Sequence, residues 1–139
     1  KQKLIKETEQ RNLNNVRFID PVPKADVFQY ILASEMGMSV LKKADTFKTI
    51  YSNKTFDYMS CKTPILMAID GVSRELLEEA KAGSYVEAEN AEEFNKIIRN
   101  YMENPENLKF EGENGYEFAQ KNFDRRVLAQ KYLERLTEL

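Results

Sequence analysis

Short apolar runs alternate along this chain with longer segments of helical period, a pattern typical of strands and helices that follow one another around a parallel sheet. The apolar runs predict four strands, at residues 16–19, 38–41, 64–68 and 84–87. The run 64–68 is the strongest of them, because a short, continuously apolar segment is typical of a strand buried on both faces. The pattern therefore predicts an α/β fold with a Rossmann-like parallel sheet and flanking helices.

The intervening segments predict helices at residues 1–12, 24–33, 53–61, 73–82, 91–102, 107–121 and 124–139, with a loop at 42–51. Ser52 and Ser73 stand at positions typical of N-caps, and Gly83 stands where the fourth of these helices would end. No strand precedes the helix at residues 1–12. We therefore expect residues 1–139 to form a single C-terminal domain that lacks its first strand and an N-terminal domain of roughly 100–200 residues.

Composition and charge remove several classes of function. The chain has 139 residues with 42% hydrophobic and 32% charged positions, which is ordinary for one globular domain. A net charge of -2 gives no clustered positive field for nucleic acid. The absence of histidine removes the commonest general base and the usual zinc ligands, and Cys61 alone forms neither an internal disulfide nor a zinc site. We expect no metal, no cofactor and a cytoplasmic location.

The predicted helix at 53–61 carries the candidate chemistry. With Ser52 as its cap, the N–H groups of Asn53, Lys54 and Thr55 and the positive end of the helix dipole would favour a diphosphate. Lys54 would add a full charge. Asp57 lies on the same face as Asn53, four residues away, where its carboxylate would accept hydrogen bonds from both hydroxyls of a ribose. A capped helix with Lys and Asp on its exposed side is commonplace as plain scaffold, so both interpretations stay open at this point.

Residues 52–66, SNKTFDYMSCKTPIL, resemble the stretch P-x-K-x-(F/L)-E-Y-M-A-x-G-x-P-V-(I/L) of family 4 retaining glycosyltransferases, which have the GT-B fold. Residues 71–94 are similar to the family's G-x-x-x-E-L-(I/V)-x-x-A-x-A-G-x-x-V run with the acidic segment after it. Residues 16–22 are similar to its V-x-F-x-G-x-V strand and turn. The resemblance covers about residues 14–126, and the ordered series of motifs is more specific than any one of them.

The resemblance implies a domain that binds the donor nucleotide. Asp57 stands at the second glutamate of the family's motif of glutamate, seven residues, glutamate, and that second glutamate usually binds the ribose. Thr49 stands at the first, so a role of that carboxylate is not available here. The loop at residues 20–24 corresponds to the place where the family packs the base, which makes Pro21 and Val22 candidates for its floor, unless they form only a turn.

The implied reaction is transfer of a sugar, with retention, from a nucleoside diphosphate sugar to an acceptor. The implied partners are that donor, the N-terminal domain of the same chain and a membrane-associated acceptor at the inner face of the membrane. Bacterial surface polysaccharide synthesis, of lipopolysaccharide or capsule, is the expected setting. No catalytic residue is assigned, and we expect the isolated domain to be inactive. A GT-B nucleotide-sugar epimerase and a non-catalytic α/β interaction module remain as alternatives.

Overall fold

The computed structural model describes residues 1–138, which build a three-stranded parallel sheet with helices on both faces. The strands are β1 (Gly37–Val40), β2 (Ile65–Ala68) and β3 (Gly83–Tyr85), in the order β1-β2-β3. Ile65 lies opposite Gly37 on one side and opposite Gly83 on the other. The predicted parallel sheet is thus confirmed for three of its four strands.

Seven α-helices are described. They are α1 (Gln2–Gln10), α2 (Lys24–Leu32), α3 (Asn53–Ser60), α4 (Val72–Ala80), α5 (Ala91–Glu103), α6 (Glu106–Phe123) and α7 (Arg125–Thr137). The predicted loop at residues 42–51 contains a short 3₁₀ helix, Asp45–Thr49. All seven predicted helices are confirmed to within a few residues at their ends, except that Leu139 lies outside the described residues.

Strand β2 forms the centre of the core, and its four residues are all buried, as its continuous apolar run predicts. Successive side chains point to opposite faces of the sheet. Ile65 and Met67 pack on one face with Met59 of α3 and with side chains of α4 and α6. Leu66 and Ala68 pack on the other face with α5. The sheet therefore lies between α3, α4 and α6 on one side and α5 on the other.

The strand predicted at residues 16–19 is wrong. These residues make no strand pairing in the described chain, and Val16, Phe18 and Ile19 are exposed on the way from α1 to α2. An alternating apolar pattern favours a strand only where a neighbouring edge accepts its hydrogen bonds. In the described chain this segment pairs neither with β1 nor with another strand. None of the helices formed by residues 1–138 has the length and apolar content to span a bilayer.

The two end signals assigned to α4 are also wrong. The helix begins at Val72 after Gly71, which has a φ of 80° and whose added Cβ would meet the carbonyl oxygen of Lys48. Ser73 is therefore a buried residue inside the first turn instead of its cap. At the other end Lys81 adopts the left-handed conformation, and Gly83 belongs to β3. The left-handed residue after this helix is thus a lysine, where the sequence rule looks for glycine.

Candidate functional site

Three serine hydroxyls fix the start of α3 at the carboxyl edge of the sheet. Ser39 of β1 and Ser52 place their Oγ atoms 3.0 Å apart. The backbone N–H of Ser52 donates to Ser73 Oγ at 3.1 Å, and the Ser73 hydroxyl donates to the carbonyl oxygen of Ile50 at 3.0 Å. Ser39 and Ser73 are buried. The first turn of α3 is therefore tied to β1 and to α4.

This arrangement corrects the predicted role of Ser52. The residue does occupy the N-cap position of α3, but its side chain makes no capping hydrogen bond. Its hydroxyl instead faces Ser39, because the chain enters the helix directly beside β1. The prediction identified where the helix begins, whereas the group that meets the Ser52 hydroxyl lies 13 residues away.

Thr55 is the second correction. Its N–H, predicted to be free for a phosphate, donates to the carbonyl oxygen of Ser52 at 3.0 Å, and its side chain is completely buried. Thr55 and Met59 are four residues apart and form the inward face of α3. Within residues 1–138 the Thr55 hydroxyl oxygen has no hydrogen-bond partner. Asn53 and Lys54 remain exposed at the start of the helix.

A cavity of about 680 Å³ lies beside α3, between the start of α2 and the helices α6 and α7. Its volume is within the range of small-molecule sites in proteins. Charged, amide and aromatic side chains share the lining, which consists of Lys24, Asn53, Phe56, Asp57, Ser60, Tyr116, Ala119, Gln120, Phe123, Asp124, Arg125 and Leu128. The cavity thus offers hydrogen-bonding groups for a polar ligand beside aromatic surface for a ring.

Asp57 and Lys24 form an ion pair at this cavity. The Lys24 ammonium lies 2.7 Å and 3.0 Å from the two carboxylate oxygens of Asp57. The Asp57 side chain is 23% exposed and that of Lys24 is 69% exposed. Sequence reasoning missed Lys24, because the two residues are 33 positions apart and no local spacing connects them.

The structure brings only part of the predicted site together. Asn53 and Asp57 line the same cavity, as their spacing on one helical face predicts. Lys54 is exposed at the start of α3 and does not belong to that lining. Pro21 is exposed and Val22 is half-buried in the segment that leads into α2, and neither lines the cavity. Their predicted contact with a base stays a prediction.

A second group of charges lies at the carboxyl edge itself, around a small cavity of about 30 Å³. The Lys43 ammonium donates a hydrogen bond to Glu87 Oε1 at 2.6 Å, and the Tyr85 hydroxyl donates to Glu87 Oε2 at 3.0 Å. The hydrogen bond from Lys43, followed by that from Tyr85, holds the pKa of Glu87 below its usual value. Within the described chain, no cluster of three or more Asp, Glu, Cys or His side chains is arranged for a metal ion.

Two solved structures show where this fold is found. The chain is similar to Anabaena Alr3699/HepE, in the crystal structures of its complexes with UDP-glucose and with UDP, each with a TM-score of 0.81. The sequence identities are 21% and 22%, and the match covers 99% of this chain and 36% of the other. The chain thus spans about a third of the length of that protein. This likeness confirms the predicted fold class, the Rossmann-like half of a GT-B fold.

The sequence matches the Glycosyl transferase-like family over residues 5–134, and the chain belongs to that family. This membership confirms the predicted resemblance to glycosyltransferases at the level of the family. The narrower assignment to the family 4 retaining enzymes stays a prediction. A search of curated proteins found no match to this chain.

Proposed function

We propose that this chain is the donor-nucleotide-binding domain of a glycosyltransferase that uses a nucleoside diphosphate sugar. The observation that carries the proposal is the match to the Glycosyl transferase-like family over residues 5–134. The fold supports the class of donor, because the similar Anabaena protein was crystallised with UDP-glucose and with UDP. The 680 Å³ cavity beside Asp57 supports the location of the site within this domain.

Different residues of α3 bind different parts of the donor. The exposed first turn of the helix, with Asn53 and Lys54, supplies N–H groups and a positive charge for the diphosphate. Asp57, one turn further on, accepts hydrogen bonds from the ribose hydroxyls. Tyr116 and Phe123 line the cavity and offer aromatic surface on which the base packs. Pro21 and Val22, which the resemblance assigns to the base, lie outside that lining. The resemblance assigns the acceptor site and part of the catalytic cleft to a separate N-terminal domain.

The reaction we propose is transfer with retention to a membrane-associated acceptor, during synthesis of a bacterial surface polysaccharide such as lipopolysaccharide or capsule, on the cytoplasmic side of the membrane. The resemblance of residues 52–66 to family 4 enzymes supports this finer assignment. Catalysis requires a cleft between two domains, so we expect the isolated domain to bind nucleotide without turning over donor.

Calorimetric titration of the full-length protein with UDP, ADP, GDP and dTDP tests the proposal. We expect saturable binding of at least one diphosphate, and release of that diphosphate when the matching nucleotide sugar and a lipid-linked acceptor are added. Failure of all four to bind would contradict the donor site. Isomerisation of the donor sugar without transfer would identify an epimerase instead.

A further inference from the structure

The ion pair between Lys24 and Asp57 occupies the group that the proposed function assigns to the ribose. The ammonium contacts both carboxylate oxygens, at 2.7 Å and 3.0 Å, at the wall of the 680 Å³ cavity. A ribose that binds through Asp57 therefore meets a carboxylate already in use. Either the lysine moves away, or the hydroxyls share the carboxylate with it.

The Lys24 side chain is mostly exposed to solvent. Lys24 is the first residue of α2, its side chain is 69% exposed, and its second neighbour is the ring of Phe28, with the ammonium 5.6 Å from the ring centre. A lysine side chain is a flexible stem, and an exposed ion pair is weakly held because water competes for both charges. Movement of the ammonium breaks no backbone hydrogen bond of α2.

We propose that Lys24 is a specificity-determining residue, which makes the site selective for phosphorylated nucleotides over bare nucleosides. This inference rests on the proposed function of Asp57. A nucleoside that takes the Asp57 oxygens displaces the ammonium and gives it no new partner. A nucleoside diphosphate also displaces the ammonium. Its phosphates, however, are joined to the same ribose and accept a charge-assisted hydrogen bond from the displaced ammonium. The ion pair thus lowers the affinity of the site for a nucleoside more than its affinity for a nucleoside diphosphate.

The test compares UDP with uridine in the full-length protein, by competition against a fluorescent UDP analogue so that weak uridine binding is measured. If the calorimetric titration shows that the protein binds a diphosphate of another base, that diphosphate and its nucleoside are used in place of UDP and uridine. In Lys24→Gln we expect the ratio of the two dissociation constants, uridine over UDP, to fall about tenfold, as for the loss of one charge-assisted contact. UDP binding should weaken and become less dependent on salt, while uridine binding is unchanged or tighter.

Lys62 provides a matched control. It also forms an exposed ion pair, with Glu113 at 2.8 Å, and its ammonium lies 4.9 Å from the centre of the Tyr116 ring. Lys62→Gln should leave the ratio unchanged, and Lys24→Arg should keep it within threefold of the wild type. If the ratio is unchanged in Lys24→Gln, or if uridine and UDP lose affinity equally, the proposal is wrong and Lys24 has only a structural role. Failure of the wild type to bind any diphosphate would instead remove the donor site itself.

Discussion

At the scale of single residues, Asp57 carries the most specific expectation. Asp57→Ala should weaken binding of the nucleoside diphosphate by about 1.5–3 kcal/mol, the range for hydrogen bonds to a charged group. Asp57→Glu keeps the carboxylate and should be tolerated better. Calorimetry on the full-length protein measures both. Asp57→Ala breaks the ion pair with Lys24, but Lys24 is largely exposed, so the variant should keep its melting temperature. If the folded variant binds the diphosphate as tightly as the wild type, the donor binds elsewhere.

Lys54 differs from Asp57 in acting through charge at the start of α3. Lys54→Ala should weaken binding of a diphosphate at low salt, with an effect that shrinks at high salt and disappears for the nucleoside. The measurement is the dissociation constant of each ligand at two ionic strengths. Since Lys54 is exposed and outside the lining of the 680 Å³ cavity, equal losses for nucleoside and diphosphate would argue against a phosphate role.

At the scale of elements, patterns that depend on burial were predictable. The apolar run before Ala68 predicted β2, and the spacing of Phe94, Ile97 and Ile98 predicted α5, whose inward face they form. Exact ends and distant contacts were not. Met102 follows the same helical spacing but is exposed. Likewise the position of Asp57 beside Asn53 was predictable, because the two residues lie four positions apart on one helix. Its ion-pair partner Lys24 was not, because Lys24 belongs to α2.

Helix α6 provides a test of how closely the elements approach. Alanine is normally about 0.5–1 kcal/mol better than glycine inside a helix. At Gly112, however, an added Cβ would meet the carbonyl oxygen of Lys62, a backbone atom with little freedom to move. Gly112→Ala should therefore destabilise the protein by about 1–3 kcal/mol, the range for overpacking. Urea unfolding measures this.

Lys109→Ala, at an exposed position of the same helix, is the control and should change stability by less than about 0.5 kcal/mol. A stabilising Gly112→Ala would mean that α6 lies further from the turn before β2 than the structure places it.

At the scale of the whole molecule, the hydroxyl of Tyr101 links α5 on one side of the sheet to α6 on the other. Tyr101 of α5 donates to Glu111 of α6 at 2.6 Å and lies 2.7 Å from Ser84 of β3. Burial raises the pKa of Glu111 from its usual 4.5, against the lowering effect of the hydrogen bond from Tyr101. Desolvation, followed by the Glu111 contact, raises the pKa of Tyr101. The pKa of Glu111 is therefore higher in the folded protein than in the unfolded chain.

The sign of the resulting pH dependence follows from that shift. A carboxyl whose pKa is raised by folding favours the folded state at low pH, and this contribution is lost as the pH rises from 4.5 through the raised value. Glu111→Gln removes it. The unfolding free energy of the variant minus that of the wild type should therefore increase between pH 4 and pH 7, measured by urea unfolding. A difference that is flat or falls with pH would contradict this.

The position of β1 at one margin of the sheet has a consequence for the protein in concentrated solution. In the described chain β1 pairs only with β2, and its alternate residues Met38 and Val40 are exposed. An open strand edge of this kind can be extended by a strand from another molecule, which is a route to aggregation. The exposed Lys42 follows β1 almost directly and would meet the same positive charge on an identical edge. Concentrated salt screens that repulsion, so dilute buffers of low ionic strength should best preserve the dispersed protein.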